Sequence, residues 1–177
     1  MSGNCLVINI DRCINCLSCE IACQINHNIS PGTSRLQILK RGPAEEGGKL
    51  ILDYVPLVCL QCKDSYCVDS CRHNAIVKEN GYVYIDSKAC RGCRECVYNC
   101  PYGLIFYDEA RKKAEKCDLC RGIEDKRPPY CVANCWGGAL MWVPLAKLSE
   151  TLVCRDDGTK KRVVYLSQRR IINELDY

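Results

Sequence analysis

The sequence predicts an α+β fold made of short strands, short helices and long loops, organised as one domain or two small ones. Sixteen of its 18 cysteines fall into four compact groups, and short alternating apolar runs flank those groups. The remaining apolar residues are few: the 47% apolar fraction counts cysteine, and without it roughly a third of the chain is apolar, below the usual share. A core this thin needs further cross-links, which bound metal can supply.

The grouped cysteines form four tetrads. Tetrads one and three have the spacing C-x2-C-x2-C-x3-C, tetrad two has C-x2-C-x4-C-x3-C, and tetrad four has C-x2-C-x10-C-x3-C. In chain order they are Cys13, Cys16, Cys19 and Cys23; Cys59, Cys62, Cys67 and Cys71; Cys90, Cys93, Cys96 and Cys100; and Cys117, Cys120, Cys131 and Cys135. Cys5 and Cys154 are left over, and we expect both to be buried structural thiols.

The tetrad spacing points to [4Fe-4S] clusters. A C-x2-C-x2-C loop can wrap three thiolates around one cubane, whereas zinc usually takes its ligands in pairs from two loops. The fourth cysteine lies four residues after the third, roughly 6 Å further along a helix, so it points past that cluster. In bacterial ferredoxin sequences this cysteine ligates the other cluster of a pair. The sequence therefore predicts four clusters whose tetrads exchange their fourth ligands.

Strand signals flank the tetrads. Residues 6–11 lead into tetrad one and residues 82–86 lead into tetrad three. Asn80-Gly81 lies between two alternating apolar runs, which is a strong hairpin signal. A second hairpin is expected from residues 104–107 and the polar stretch up to residue 116.

Two segments lie outside this pattern. Residues 24–58 contain Pro31-Gly32, Arg41-Gly42-Pro43 and Gly47-Gly48, so we expect mostly loop there, with one strand at residues 49–55. Residues 136–177 form a cysteine-poor tail with an expected turn at Asp156-Asp157-Gly158.

Residues 90–103 read Cys-Arg-Gly-Cys-Arg-Glu-Cys-Val-Tyr-Asn-Cys-Pro-Tyr-Gly. This stretch resembles the four-cluster ferredoxin-type electron-transfer subunits of the dimethyl sulfoxide reductase β-subunit type. The longer gap of tetrad two, the start of tetrad four at Lys116-Cys-Asp-Leu-Cys120 and the insert after tetrad one agree with that family over about residues 5–143. The family usually also has Pro after the fourth cysteine of tetrads two and four, where this chain has Arg72 and Trp136. Every cysteine ligand is present, so this departure affects the expected loop geometry and the reduction potentials of the clusters, not the ligand sets.

The resemblance implies that tetrad one pairs with tetrad four, and tetrad two with tetrad three. It gives four ligand sets, which we name sites A to D. Site A is Cys13, Cys16, Cys19 and Cys135; site B is Cys117, Cys120, Cys131 and Cys23; site C is Cys59, Cys62, Cys67 and Cys100; site D is Cys90, Cys93, Cys96 and Cys71. The fold would then be two interlocked bacterial-ferredoxin-like modules, one from residues 1–23 and 101–143 and one from residues 56–100. Residues 24–55 and 144–177 would be docking segments.

The function that the resemblance implies is electron relay without catalysis. Such subunits pass electrons through four [4Fe-4S] clusters between a catalytic oxidoreductase subunit, with a molybdopterin or tungstopterin centre, and a further carrier. An aldehyde oxidoreductase is among the candidate partners. The resemblance places site A nearest the catalytic partner and site D at the far end. The sequence contains no dinucleotide loop, P-loop or radical-SAM motif, so we expect no catalysis by this chain.

Two alternatives stay open at this stage: a zinc-knuckle binding module, which tetrad four alone would fit, and an iron–sulfur redox sensor. Nucleic acid is not an expected ligand, because four oxidised clusters of about −2 each would outweigh the formal charge of +4. The N-terminus lacks a signal-peptide pattern and no apolar run is long enough to span a bilayer, so we expect a cytoplasmic chain.

The two histidines, the two tryptophans and the basic runs have expected positions outside the ligand sets. His27 and His73 should lie at the surface or beside the ligands, not bind iron. Trp136 and Trp142 should pack beside site A or at the partner interface. The basic runs 160–162 and 169–170 should be solvated.

Overall fold

The computed structural model describes residues 3–123, 127–148, 162–167 and 171–172. The α+β class is confirmed: the helices are short and the strands form four small sheets. The strands are β1 (Asn4–Asn9), β2 (Leu36–Glu46), β3 (Lys49–Val58), β4 (Ile76–Glu79), β5 (Tyr82–Ile85), β6 (Phe106–Asp108), β7 (Lys113–Glu115), β8 (Leu140–Pro144), β9 (Val163–Leu166) and β10 (Ile171–Ile172). The helices are α1 (Ser18–Asn26), α2 (Tyr66–Asp69), α3 (Glu95–Tyr98) and α4 (Tyr130–Ala133), with 3-10 turns at Ile10–Arg12 and Leu145–Lys147.

The largest sheet has the strand order β10-β9-β1-β8, with β1 parallel to β9 and antiparallel to β8. Strand β1 is apolar at consecutive positions because both of its faces are covered. Leu6 and Ile8 contribute to the main core, while Cys5 and Val7 pack with Leu145 in a smaller one. Cys5 is fully buried, so its expected burial is confirmed, and its role as a structural thiol stays a prediction.

Both predicted hairpins are present. Strands β4 and β5 pair antiparallel around Asn80-Gly81, and both turn residues have positive φ, as a tight hairpin turn of this kind requires. Strands β6 and β7 form the second hairpin. The expected strands before tetrads one and three correspond to β1 and β5.

The expectation of mostly loop at residues 24–58 is wrong for its second half. Strands β2 and β3 form a long antiparallel hairpin, of which only the β3 part was foreseen. The register shifts between Arg41 and Ala44, so the Gly42-Pro43 pair is accommodated as a bulge within the ladder. Gly42 has φ +102°, and a Cβ there would lie 2.5 Å from the carbonyl oxygen of Ile51, so the bulge requires glycine.

Part of the tail belongs to the main sheet, since β8 and β9 flank β1 on its two sides. Arg162 is not simply solvated: it stacks on the ring of Tyr82 at 4.7 Å and donates to the carbonyl oxygen of Asn80 at 2.9 Å. Cys154, the turn at 156–158 and the basic residues 160, 161, 169 and 170 lie outside the described residues.

Two cores underlie the cysteine loops. The main core, described above, contains cysteines of tetrads one and four together with Leu104. A separate core contains cysteines of tetrads two and three together with Ile105. Leu104 and Ile105 are consecutive and lead into β6, so the β6–β7 hairpin adjoins both cores. The module boundaries and the docking role of the two outer segments stay predictions.

Candidate functional site

The first Cys-x-x-Cys loop of every tetrad has the same backbone feature. The residue just before the second cysteine has a positive φ in each: 55° at Asn15, 53° at Gln61, 71° at Gly92 and 57° at Leu119. This conformation costs a non-glycine residue roughly 1–2 kcal/mol, so it persists only where the surroundings require it. Four loops with the same turn, three of them at a non-glycine residue, indicate that each loop curves its thiols around a similar object.

Three cavities are each lined by four cysteines drawn from two tetrads. The residues of site A line one cavity, those of site C line a second and those of site D line a third. In each case three cysteines come from one tetrad and the fourth comes from the tetrad with which the resemblance pairs it. Ligation itself stays a prediction.

The site B cysteines are also close together. Burial raises the pKa of Cys23 to about 12, and the charge of the nearby Cys120 adds to that rise. Burial likewise raises the pKa of Cys131 well above its usual range, with further contributions from Cys117 and Cys120. Helix α1 brings Cys23 to this group while Cys19, one turn earlier, lines the site A cavity.

Main-chain N–H groups point at several cysteine sulfurs. The Sγ of Cys71 accepts from Ala75 at 3.3 Å, and that of Cys100 accepts from Leu104 at 3.4 Å. The Sγ of Cys135 accepts from both Ala139 and Leu140, at 3.2 and 3.3 Å. Hydrogen bonds of this kind stabilise negative charge on an acceptor, and a cysteine that binds iron does so as the thiolate.

Burial favours the protonated form of three further cysteines. It raises the pKa of Cys19 and of Cys96 to about 12, and that of Cys67 to about 11. At neutral pH these groups are therefore thiols until a cation displaces the proton. The donors fit an iron–sulfur cubane: all are sulfur, they come in fours, and hydrogen-bond donors face the sulfurs of Cys71, Cys100 and Cys135. Among the described residues, no three His, Cys, Asp or Glu side chains are close enough to hold a single metal ion.

Lys116 is a buried cation between two of these sites. It is only 2% exposed and lines the site C cavity. Its Nζ donates to the carbonyl oxygens of Val83 and Cys117, the latter at 2.9 Å. None of the ion pairs among the described residues includes Lys116. A buried charge requires an opposite one, and an anionic cluster at site C would provide it.

His27 lies beside site B, with Nε2 3.3 Å from the Sγ of Cys120. Its other ring nitrogen, Nδ1, is 3.3 Å from Nη1 of Arg35. Arg35 in turn contacts Glu115 at 2.9 Å and Asp118 at 3.1 Å. Burial, and then the Arg35 charge, lower the pKa of His27, which favours the neutral ring.

The other predicted residues fall at the surface or in the core. His73 is exposed and lines the site D cavity. Trp142 packs partly against the main core, whereas Trp136 is 83% exposed, so a role for it at a partner interface stays a prediction. The sequence patterns indicated no role for Lys116 or Arg35, because their significance depends on neighbours far away in the sequence. No helix in the described part of the chain is long and apolar enough to cross a membrane.

Comparison with known proteins identifies the family. Residues 50–144, more than half of the chain, match the 4Fe-4S dicluster domain. One of the chains of the polysulfide reductase of Wolinella succinogenes is 31% identical over 173 residues, which covers 89% of this chain and 91% of that one. The thiosulfate reductase electron transfer subunit of Salmonella typhi is 32% identical over 161 residues, with 89% and 81% covered.

One of the subunits of the tetrathionate reductase of Salmonella typhimurium is 34% identical over 137 residues, or 76% of this chain. This chain spans only 55% of the length of that relative. The expectation of an iron–sulfur electron-transfer protein is confirmed by these matches. The protein belongs to the 4Fe-4S dicluster family of iron–sulfur electron-transfer proteins.

Proposed function

We propose that this protein relays electrons through four [4Fe-4S] clusters, between a catalytic oxidoreductase subunit that holds a molybdopterin or tungstopterin cofactor and a further carrier. The clusters supply one-electron redox chemistry. The chain supplies the thiolates, the spacing and the hydrogen bonds that set the potentials. The reductase names of its relatives support a catalytic partner, and the resemblance of the cysteine motifs suggests the kind of cofactor.

The observation that carries the proposal is the recruitment of cysteines across tetrads. Three four-cysteine cavities each take three cysteines from one tetrad and one from another. The third cysteine of each tetrad lies on a short helix, and the fourth follows four residues later, on or just beyond that helix, so one short segment carries ligands of two sites. Such an arrangement keeps neighbouring clusters close and fixes their separation.

Contacts between the proposed sites support the order A, B, C, D. Helix α1 joins sites A and B through Cys19 and Cys23. Sites B and C are joined by Gln61, whose side chain donates to the carbonyl oxygen of Cys117 at 2.8 Å. Sites C and D share helices α2 and α3, which pack together. We infer a single path for electrons, with sites A and D at its ends.

The two inferred ends are also where cysteines reach the surface. Cys16 of site A and Cys93 of site D are the exposed cysteines among the described residues. Electron transfer to another protein requires a short distance from cluster to surface, so these two sites are suited to exchange with partners.

The surfaces around the two ends differ in character. Exposed apolar side chains surround site A and continue along α1; we name them the apolar rim. The apolar rim consists of Ile14, Leu17, Ile21, Ile25 and Trp136. Around site D the exposed groups are mainly charged, including Arg94, Glu109 and Lys112. Exposed apolar patches of this kind mark protein contacts, so we place the catalytic subunit at site A and a transient carrier at site D.

Purification of the tagged protein with its natural partners tests this arrangement. The intact complex should be brown, with absorption near 400 nm, and should contain molybdenum or tungsten together with a pterin. Trp136→Glu should abolish recovery of the metal and the pterin, since a charge would enter the apolar rim. Tyr98→Glu is the matched control, because Tyr98 is 79% exposed on α3, away from the apolar rim. Loss with Tyr98→Glu and retention with Trp136→Glu would contradict the assignment, and a colourless zinc protein would contradict the relay itself.

A further inference from the structure

The structure assigns His27 a positioning role at site B: its Nε2–H donates a hydrogen bond to the sulfur of Cys120 and raises the reduction potential of the cluster bound there. This inference rests on the proposed function, since it requires a cluster at site B. It adds a residue outside the sixteen cysteines that sets the potential of one particular cluster.

The contact with Arg35 determines the tautomer of the His27 ring. Arg35 has N–H groups only and cannot accept a hydrogen bond. Its Nη1 lies 3.3 Å from Nδ1 of His27, so Nδ1 must be the accepting nitrogen without a proton. In a neutral imidazole the proton then resides on Nε2. That nitrogen is 3.3 Å from the Sγ of Cys120, so the hydrogen bond runs from His27 to sulfur.

Two carboxylates hold Arg35 in place. Its Nε contacts a carboxylate oxygen of Glu115 at 2.9 Å, and its Nη1 contacts Asp118 at 3.1 Å. Asp118 also accepts the main-chain N–H of Cys120 at 2.9 Å through its other oxygen. The arginine that fixes the His27 ring is therefore anchored to the same loop that carries the sulfur.

The position of the ring is fixed from a further side. Tyr130 at the start of α4 meets the ring edge-on, with centroids 5.7 Å apart. Helix α4 also carries Cys131 of site B. The His27 ring thus contacts Cys120 and also Tyr130, the residue before Cys131. A ring so confined can keep one hydrogen bond in both oxidation states of the cluster.

The hydrogen bond from His27 affects the reduction potential of the site B cluster. A cluster gains one negative charge on reduction, and a hydrogen bond to a ligand sulfur stabilises the more negative state more strongly. Removing the donor should therefore make the site B potential more negative. Hydrogen bonds to the sulfurs are a recognised means by which proteins set such potentials.

The main experiment is an EPR-monitored redox titration of the protein with its clusters intact, comparing wild type with His27→Phe and His27→Gln. The signal of site B is assigned by its loss in Cys131→Ser. In His27→Phe the oxidised-to-reduced ratio of site B at a fixed potential should rise about tenfold, which is a shift of about −59 mV for a one-electron couple. His27→Gln, which retains a side-chain N–H donor, should keep most of the wild-type potential.

His73→Phe is the control for loss of a histidine near a cluster, since His73 is exposed beside site D; it should leave site B unchanged. The inference is overturned if all four clusters are present in His27→Phe and the potential of site B equals that of wild type. A wild-type preparation without clusters would instead overturn the electron-relay proposal.

A second measurement does not depend on any substitution of His27. Pulsed EPR of the reduced wild-type protein with 15N-labelled histidine should detect one weakly coupled nitrogen at the site B signal, the coupling expected across a hydrogen bond. Absence of that coupling would overturn the inference. So would a strong coupling, because it would make His27 an iron ligand.

Discussion

The side-chain amide of Gln61, in the first loop of tetrad two, donates a hydrogen bond at 2.8 Å to the main-chain carbonyl of Cys117, the first cysteine of tetrad four. The oxygen of the same amide accepts the N–H of Val83 at 2.6 Å. Gln61 is also the residue whose positive φ turns the first loop of tetrad two. One buried side chain therefore links the loops of sites B and C to the strand β5, and the neighbouring Lys116 occupies the space between them.

Lys116→Met should make the site C potential more negative. The substitution removes a buried positive charge that lines this cavity and that favours reduction, since the reduced cluster is the more negative. A shift of at least about 59 mV, a tenfold change in the one-electron equilibrium, is expected in a redox titration. Lys40→Met, at an exposed position of β2, should shift nothing. Equal potentials in Lys116→Met and wild type would show that the charge is balanced elsewhere.

Cys23→Ser should damage site B and spare site A, although Cys23 is in the tetrad of site A. Its neighbours in space include Cys120, Cys117 and Cys131. EPR should show one altered or missing signal, the same one that Cys131→Ser affects. Cys5→Ala is the control, because Cys5 is a buried thiol outside the tetrads and should leave every signal in place. Loss of the signal that Cys13→Ser removes would make the tetrads self-contained.

Gly92→Ala should disrupt site D. Gly92 has φ +71°, and a Cβ there would lie 2.3 Å from the carbonyl oxygen of Lys112. The left-handed conformation alone costs alanine roughly 1–2 kcal/mol, and the collision adds to that. Gly32→Ala separates the two effects, since Gly32 has φ +84° with open space around it. We expect loss of the site D signal in the first variant and four intact signals in the second; equal effects would mean that space at Gly92 is unimportant.

Removal of iron by a chelator under anaerobic conditions should abolish the cooperative thermal transition. The apolar core is thin, and the proposed ligand sets join segments that are remote in sequence, so cluster binding is a part of the folding free energy. Calorimetry before and after chelation, with reductant present to prevent disulfides, measures this. A cooperative transition that survives complete loss of iron would contradict the expectation.

Local signals in the sequence were sufficient for much of the fold. The hairpin at Asn80-Gly81 follows from turn chemistry, and the tetrads follow from spacing. Strand β2 was missed because Gly42-Pro43 looks like a loop when the bulge that absorbs it is not visible. Strand β9 was missed because its partner, β1, lies more than 150 residues earlier, and such pairing leaves no local pattern.

For the site, the sequence predicted the candidate ligands but not the contacts around them. Cysteine spacing indicates the candidate ligands, but the positive φ of Leu119 and Gln61 is imposed by the surrounding structure, since neither residue favours it. The contact of His27 with Cys120 depends on Arg35, Glu115 and Asp118, which only the fold brings together. Long-range side-chain networks of this kind carry no periodic signal in a single sequence.

The most direct test of four clusters is the iron and acid-labile sulfide content of anaerobically purified protein. The matched family model describes two clusters, whereas the chain has four complete tetrads. We predict about sixteen iron atoms and sixteen sulfides for each chain, from four cubanes with four cysteine ligands each. Saturation near eight iron atoms, in a preparation that has lost no cluster to air, would contradict the account.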